Sequence, residues 1–155
     1  MIKTNAMRLL EQEGISYQAM EYEVDENNLA GVHVAEQIGL PVDQVFKTLV
    51  AKGEKNGIMV FCIPVACELN LKKIATIVND KKIEMIHVKD LLGLTGYIRG
   101  GCSPVGMKKK FKTYIDETAI LFDEITISAG VRGCQLLVGR EKLVEYLEAT
   151  LCDLT

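Results

Sequence analysis

The chain has 155 residues, 48% of them hydrophobic and 25% charged, with a formal net charge of −3; this predicts one globular domain, residues 1–155, with a full core. That balance excludes a protein that coats DNA through a dominating basic surface, and no apolar run approaches the about 20 residues that cross a bilayer. Five cysteines without a CxxC pair and two histidines, His33 and His87, without ligand spacing predict reduced thiols in a cytoplasm and neither a metal nor a cofactor.

Residues 2–13 place Ile2, Ala6, Leu9 and Leu10 at helical spacing, and Gly14 stops the pattern. Arg8 and Glu11 interrupt the apolar stretch, so it reads as an amphipathic helix and not an export signal. "ISYQAMEYEV" reads as a strand, and residues 30–39 as a short helix ended by Gly39 and Pro41. "VFKTLVAKGEKNGIMVFCIPV" is a hairpin, two β-rich runs around a Lys-Gly-Glu-Lys-Asn-Gly turn. Asn70 caps a helix over "LKKIATIVN" that buries Leu71, Ile74, Ala75 and Val78. "KIEMIHV" reads as a strand, followed by a helical turn near Asp90 and a glycine loop. Strands "TYID", "EITISAG" and "CQLLVG" come next, with a turn at Val131–Gly133, and a helix over "REKLVEYLEA" closes the chain. Strands and helices mix without a regular βαβ beat, which predicts an α+β fold with a mixed, curled sheet.

The chain carries no GxSxG, HExxH, Walker-type or GxGxxG motif. What remains is a set of small-residue turns and cations, each with two readings. Gly100-Gly101 before Cys102-Ser103-Pro104 is a turn, or a nest of backbone N–H groups that binds an anion. Lys47 in "QVFKTLV" faces solvent, or stands at a cleft mouth where it holds a phosphate or polarises a carbonyl. In "SAGVRGC" Arg132 lies between glycines, as an exposed turn residue or in a pocket wall that admits a small substrate. Cys102 is an inert small hydrophobe, or a nucleophile still lacking a base. Lys108, Lys109, Lys110 and Lys112 form a solvated face or a phosphate-binding patch.

"DQVFKTLVA", "PVACELNLKKIA", "LTGYIRGGCSPVGMKKKFKTYID" and "ISAGVRG", in this order over most of the chain, resemble the YbaK/EbsC family of bacterial aminoacyl-tRNA deacylases. That family is related to the editing domain of prolyl-tRNA synthetases. The resemblance implies a single compact domain around a mixed, barrel-like sheet flanked by helices. It implies that Lys47, with Thr48 beside it, is the essential lysine, and that Gly100 to Pro104, including Gly101 and Ser103, form the GxxxP loop against the aminoacyl end. It also implies that Tyr22, Ser128 and Gly130 line the pocket. Two positions depart from the pattern of cysteine-clearing members: Gln135 stands where an acidic residue is common, and Cys102 where an aliphatic one is usual.

The implied activity is hydrolysis of mischarged tRNA(Pro), with cysteine as the amino acid removed; alanine or another small residue is the alternative. A second site of this kind answers the inability of a synthetase pocket to reject smaller substrates. Backbone N–H groups of the loop are expected to hold the scissile carbonyl, Lys47 to orient the acceptor end, and Lys108 to Lys112 to receive tRNA phosphates. Arg132 and Gln135 are expected in the substrate pocket, and prolyl-tRNA synthetase as a partner. The competing class is a binding module that holds the acceptor end or a small ligand without hydrolysis.

Overall fold

The computed structural model describes residues 2–155. Helix α1, Asn5–Gln12, starts where Thr4 Oγ1 accepts the Met7 N–H at 3.3 Å and Met7 Sδ accepts the Thr4 N–H at 3.5 Å. It buries Ala6, Met7 and Leu10, whereas Ile2 lies ahead of the cap and is exposed. Strand β1, Tyr17–Glu21, is shorter than the sequence run. Helix α2, Gly31–Ile38, ends on left-handed Gly39 as expected.

Strands β2, Phe46–Gly53, and β3, Gly57–Pro64, form the predicted hairpin, in antiparallel register from Phe46↔Pro64 to Gly53↔Gly57. The Asp80 carboxylate fastens its turn, accepting the Asn56 N–H and the Asn56 side-chain amide, both at 2.8 Å, and the Lys55 N–H at 3.0 Å. Desolvation pushes the Asp80 carboxyl up, but the N–H donors of Asn56, Lys55 and Lys81 together outweigh it and hold the group well below the usual carboxylate range. Asn70 caps α3, Leu71–Ile77, by accepting the Lys73 N–H at 3.1 Å. Then come β4, Ile83–Met85, and α4, Val88–Thr95. Past the glycine loop lie β5, Lys112–Asp116; β6, Glu124–Ser128; β7, Cys134–Gly139; and α5, Arg140–Leu147.

The strands divide into two sheets. One is antiparallel, in the order β1-β7-β6. The other is mixed, β4-β2-β3-β5-β8, where β8 is Thr150–Cys152 and pairs parallel with β5. The mixed sheet and the α+β class match expectation, but the sheet does not close into a barrel. The two sheets meet at an isolated parallel bridge between Val45 and Thr126, and a core of Phe46, Ile115, Ile125, Ile127 and Leu136 fills the space between α1, α5 and the strands. A second core under α3 contains Phe61 and Tyr114, stacked at 5.3 Å.

The C-terminal expectation needs correction. The last helix ends at Leu147, Glu148 takes a positive φ of 53°, and the chain turns back to form β8. Buried Asp116 holds the end in place: its Oδ1 accepts the Leu154 N–H at 2.9 Å and its Oδ2 the Thr118 hydroxyl at 2.6 Å.

Candidate active site

A cleft of about 340 Å³ opens where the two sheets meet. Its walls come from α2 and the segment before it, from β2, from β4 and the start of α4, and from the Arg99–Cys102 loop. The ends of β6 and β7 complete it. Along β2, Phe46, Thr48 and Val50 are buried, whereas Lys47, also part of the cleft lining, is half-exposed. Among the described residues the Lys47 ammonium makes no hydrogen bond or ion pair. The Thr48 hydroxyl lies 3.6 Å from Cys62 Sγ.

Ser128 and Gln135 face each other across the β6–β7 ladder. The Ser128 hydroxyl accepts the Gly130 N–H at 3.1 Å, and the Thr126 hydroxyl donates to Gln135 Oε1 at 3.3 Å. This fastens a nearly buried amide in the wall. Tyr22, where β1 runs out, is half-buried against the same cleft.

The glycine loop is built against the Ala129–Gly133 turn. Gly100 has φ of 85°, and a Cβ there would lie 3.2 Å from Arg132 Nε. A Cβ on Gly101 would come within 3.1 Å of the Val131 carbonyl carbon. Only residues without side chains let the two segments approach this closely. The Gly101 N–H closes a turn onto Ile98 O at 3.0 Å, whereas the N–H groups of Gly100, Cys102 and Ser103 have no acceptor among the described residues. Three backbone donors in one small loop, two of them on residues that line the cleft, form a place where negative charge is stabilised. The Gly101 donor lies outside this set because the turn uses it.

The cleft thus brings together Tyr22, Lys47, Thr48, Gly100, Cys102, Ser128, Arg132 and Gln135. The remaining nominated residues lie around it. Gly101 is buried against Val131, and Ser103 is buried with its hydroxyl accepting the Val105 N–H at 3.2 Å. Gly130 packs on Tyr97, whose hydroxyl donates to Val105 O at 2.5 Å. Pro104 lines a separate cavity of about 300 Å³ with Lys109, Lys110 and Phe111. The lysine run faces this second cavity and the outer surface: Lys110 pairs with Glu148 at 2.6 Å, Lys108 donates to Gly93 O at 3.4 Å, and Lys112 sits 5.9 Å from the Tyr114 ring centre.

Burial pushes the Cys102 thiol up to about 12, only partly offset by a hydrogen bond with Thr95. A group so hard to ionise is a poor nucleophile at neutral pH, and the inert reading of this cysteine fits it. Six polar side chains of the cleft carry no site signal in the sequence: Glu23, Asp25 and Asn28 in the segment before α2, His33 and Gln37 on α2, and Arg99. Arg99 stands directly before the glycine pair, so its neighbourhood was visible. Nothing local connects α2 with β2.

Residues 28–146 match the model of the aminoacyl-tRNA editing domain. The chain belongs to this family. It is 45% identical over 153 residues, 99% of this chain and 93% of the relative, to EbsC of Enterococcus faecalis, to which a Cys-tRNA(Pro)/Cys-tRNA(Cys) deacylase activity is ascribed. The proline–tRNA ligase of Fervidobacterium nodosum is 36% identical over 75 residues, which are 48% of this chain and 13% of the ligase. The crystal structure of a protein described as a candidate trans-editing enzyme for prolyl-tRNA synthetase superposes with a TM-score of 0.83 at 24% identity, covering 100% of this chain and 99% of that one. That likeness gives the fold. The family, read from "DQVFKTLVA", "PVACELNLKKIA", "LTGYIRGGCSPVGMKKKFKTYID" and "ISAGVRG" in order, and the α+β fold are therefore borne out.

Proposed function

We propose that this editing domain is a free-standing hydrolase that removes cysteine from mischarged tRNA(Pro), acting in the cytoplasm. The observation that carries the reading is that Gly100 and Cys102, whose N–H groups have no partner among the described residues, line one cleft with an unpaired Lys47. The identity with EbsC supports cysteine as the amino acid.

An aminoacyl ester is already activated, so placement and charge stabilisation carry the chemistry without a protein nucleophile. The scissile carbonyl sits against the loop, whose N–H groups stabilise the oxyanion as it forms. Lys47 orients the acceptor end through its terminal phosphate. The attacking group is water, or the thiol of the cysteinyl substrate itself. The acceptor stem passes over the second cavity, which Lys109 and Lys110 line, and the surface beside it; Lys108, Lys109 and Lys112 take phosphates, and Lys110 joins on leaving its exposed and weak pair with Glu148. Binding of the stem therefore weakens as salt rises. Selection of the tRNA is assigned to prolyl-tRNA synthetase as partner.

The test is deacylation of tRNA(Pro) charged in turn with cysteine, alanine and proline. Release of cysteine alone supports the proposal. Release of alanine in its place transfers the activity to another small residue, and retention of all three, with the charged tRNA bound, leaves a binding module.

A further inference from the structure

Arg132 joins the two loops that frame the cleft. Its Nε donates to Arg99 O at 2.8 Å, and its side chain packs over Gly100, where a Cβ would lie 3.2 Å from Nε and 3.5 Å from Cγ. The backbone of Val131 and Arg132 lies under Gly101. The loop that carries the free N–H groups is therefore seated on the turn that carries Arg132. Among the described residues the two Nη groups make no hydrogen bond and no carboxylate pairs with them, although the residue is part of the cleft wall. A guanidinium with Nε engaged and both Nη groups unused presents a planar fork suited to a phosphate.

We infer that Arg132 is a two-ended clamp, holding the Gly100 loop through Nε and receiving the 5′-phosphate of the terminal nucleotide through Nη. The terminal nucleotide carries this phosphate on one side of its ribose and the aminoacyl ester on the other. A cation fixed at the base of the donor loop can thus register the phosphate while the loop holds the carbonyl. Lys47 supplies the second charge, as a mobile point charge, whereas Arg132 fixes direction. The positioning half of this inference rests on the deacylase reading; the phosphate half does not.

The test compares wild type with Arg132→Ala and Arg132→Lys in two assays. In NMR titrations with adenosine 5′-monophosphate and with adenosine, wild type favours the phosphorylated ligand by about tenfold or more, the scale of a charge-assisted hydrogen bond. Arg132→Ala loses most of this preference and keeps only the share that Lys47 supplies, and Arg132→Lys keeps most of it. Partial unfolding changes the amount of competent protein but not this ratio, so an undiminished preference in Arg132→Ala overturns the phosphate contact. In deacylation, Arg132→Lys keeps KM and loses about tenfold in kcat, because a lysine cannot hold Arg99 O in the same plane. A wild-type kcat in that variant overturns the positioning role. If wild type deacylates nothing while the phosphate preference still falls in Arg132→Ala, the deacylase reading fails and the phosphate contact stands.

Discussion

Gly31, the first residue of α2, has no room for a side chain. A Cβ there would lie 2.5 Å from Val65 Cγ1 and 2.6 Å from Val65 Cβ, and the β-branched valine has little freedom to turn away. Gly31→Ala forces α2 away from Val65, just past the end of β3, at a cost of about 1–3 kcal/mol for overpacking, less about 0.5–1 kcal/mol of improved helix propensity. Val65→Ala removes two methyl groups from a side chain that is 8% exposed, which costs about 2–3 kcal/mol in transfer and cavity terms. In the double variant the clash with Cγ1 is gone, but the Cβ that alanine keeps at position 65 still lies 2.6 Å from the new methyl, so only part of the strain is relieved. The destabilisation should be smaller than the sum of the single effects by about 1 kcal/mol. Urea unfolding of the four proteins measures this directly. Because α2 brings His33 and Gln37 to the cleft, Gly31→Ala should also raise KM, and the double variant should restore part of the loss. Strict additivity, or a Gly31→Ala variant as stable as wild type, would refute the packing argument.

Three further outcomes follow from the geometry. Tyr97→Phe removes the bond to the carbonyl of fully buried Val105, so stability should fall by about 1 kcal/mol and Tm by about 2–4 °C; an unchanged Tm contradicts that role. The Asp80 carboxyl is held below its usual range in the folded state. Its contribution is therefore fully present above the unfolded pKa of about 4 and is lost as pH falls through the depressed folded value. The Tm gap between wild type and Asp80→Asn should be widest at pH 5–7 and shrink below pH 4, and a gap independent of pH would refute the assignment. Finally, Cys102→Ala should keep deacylation, and at pH 8 iodoacetamide should modify half-exposed Cys67 well before Cys102, whose thiol burial pushes up to about 12; rapid labelling of Cys102 would reverse that view.

The local signals in the sequence translated well. The β-rich runs around the Lys-Gly-Glu-Lys-Asn-Gly turn marked the hairpin that β2 and β3 form, and Asn70 caps α3 through the Lys73 N–H. The short strand Thr150–Cys152 was hidden because its partner, β5, lies far back in the chain and supplies the pairing that three residues alone do not encode. The division into two sheets was hidden for a similar reason, since it depends on β7 pairing with β1, and β5 with β3, across long stretches of chain.

In the cleft, Lys47, Gly100 and Arg132 were marked by unusual local sequence, and the fold brings them to one wall system. His33 and Gln37 carry no such mark. They reach the cleft only because α2 is laid against Val65 at Gly31. The lysine run shows the converse. It is adjacent to the glycine loop in sequence, yet Val105–Gly106 turns the chain away and leaves Lys109 and Lys110 over another cavity.

The most direct test of the central claim is single-turnover hydrolysis of cysteinyl-tRNA(Pro) by wild type and Lys47→Ala, with folding checked by circular dichroism. Rapid release by wild type and a loss of about a hundredfold or more in the variant are expected, because the cleft loses a charge that orients the substrate. A folded Lys47→Ala protein that releases cysteine at the wild-type rate would contradict it.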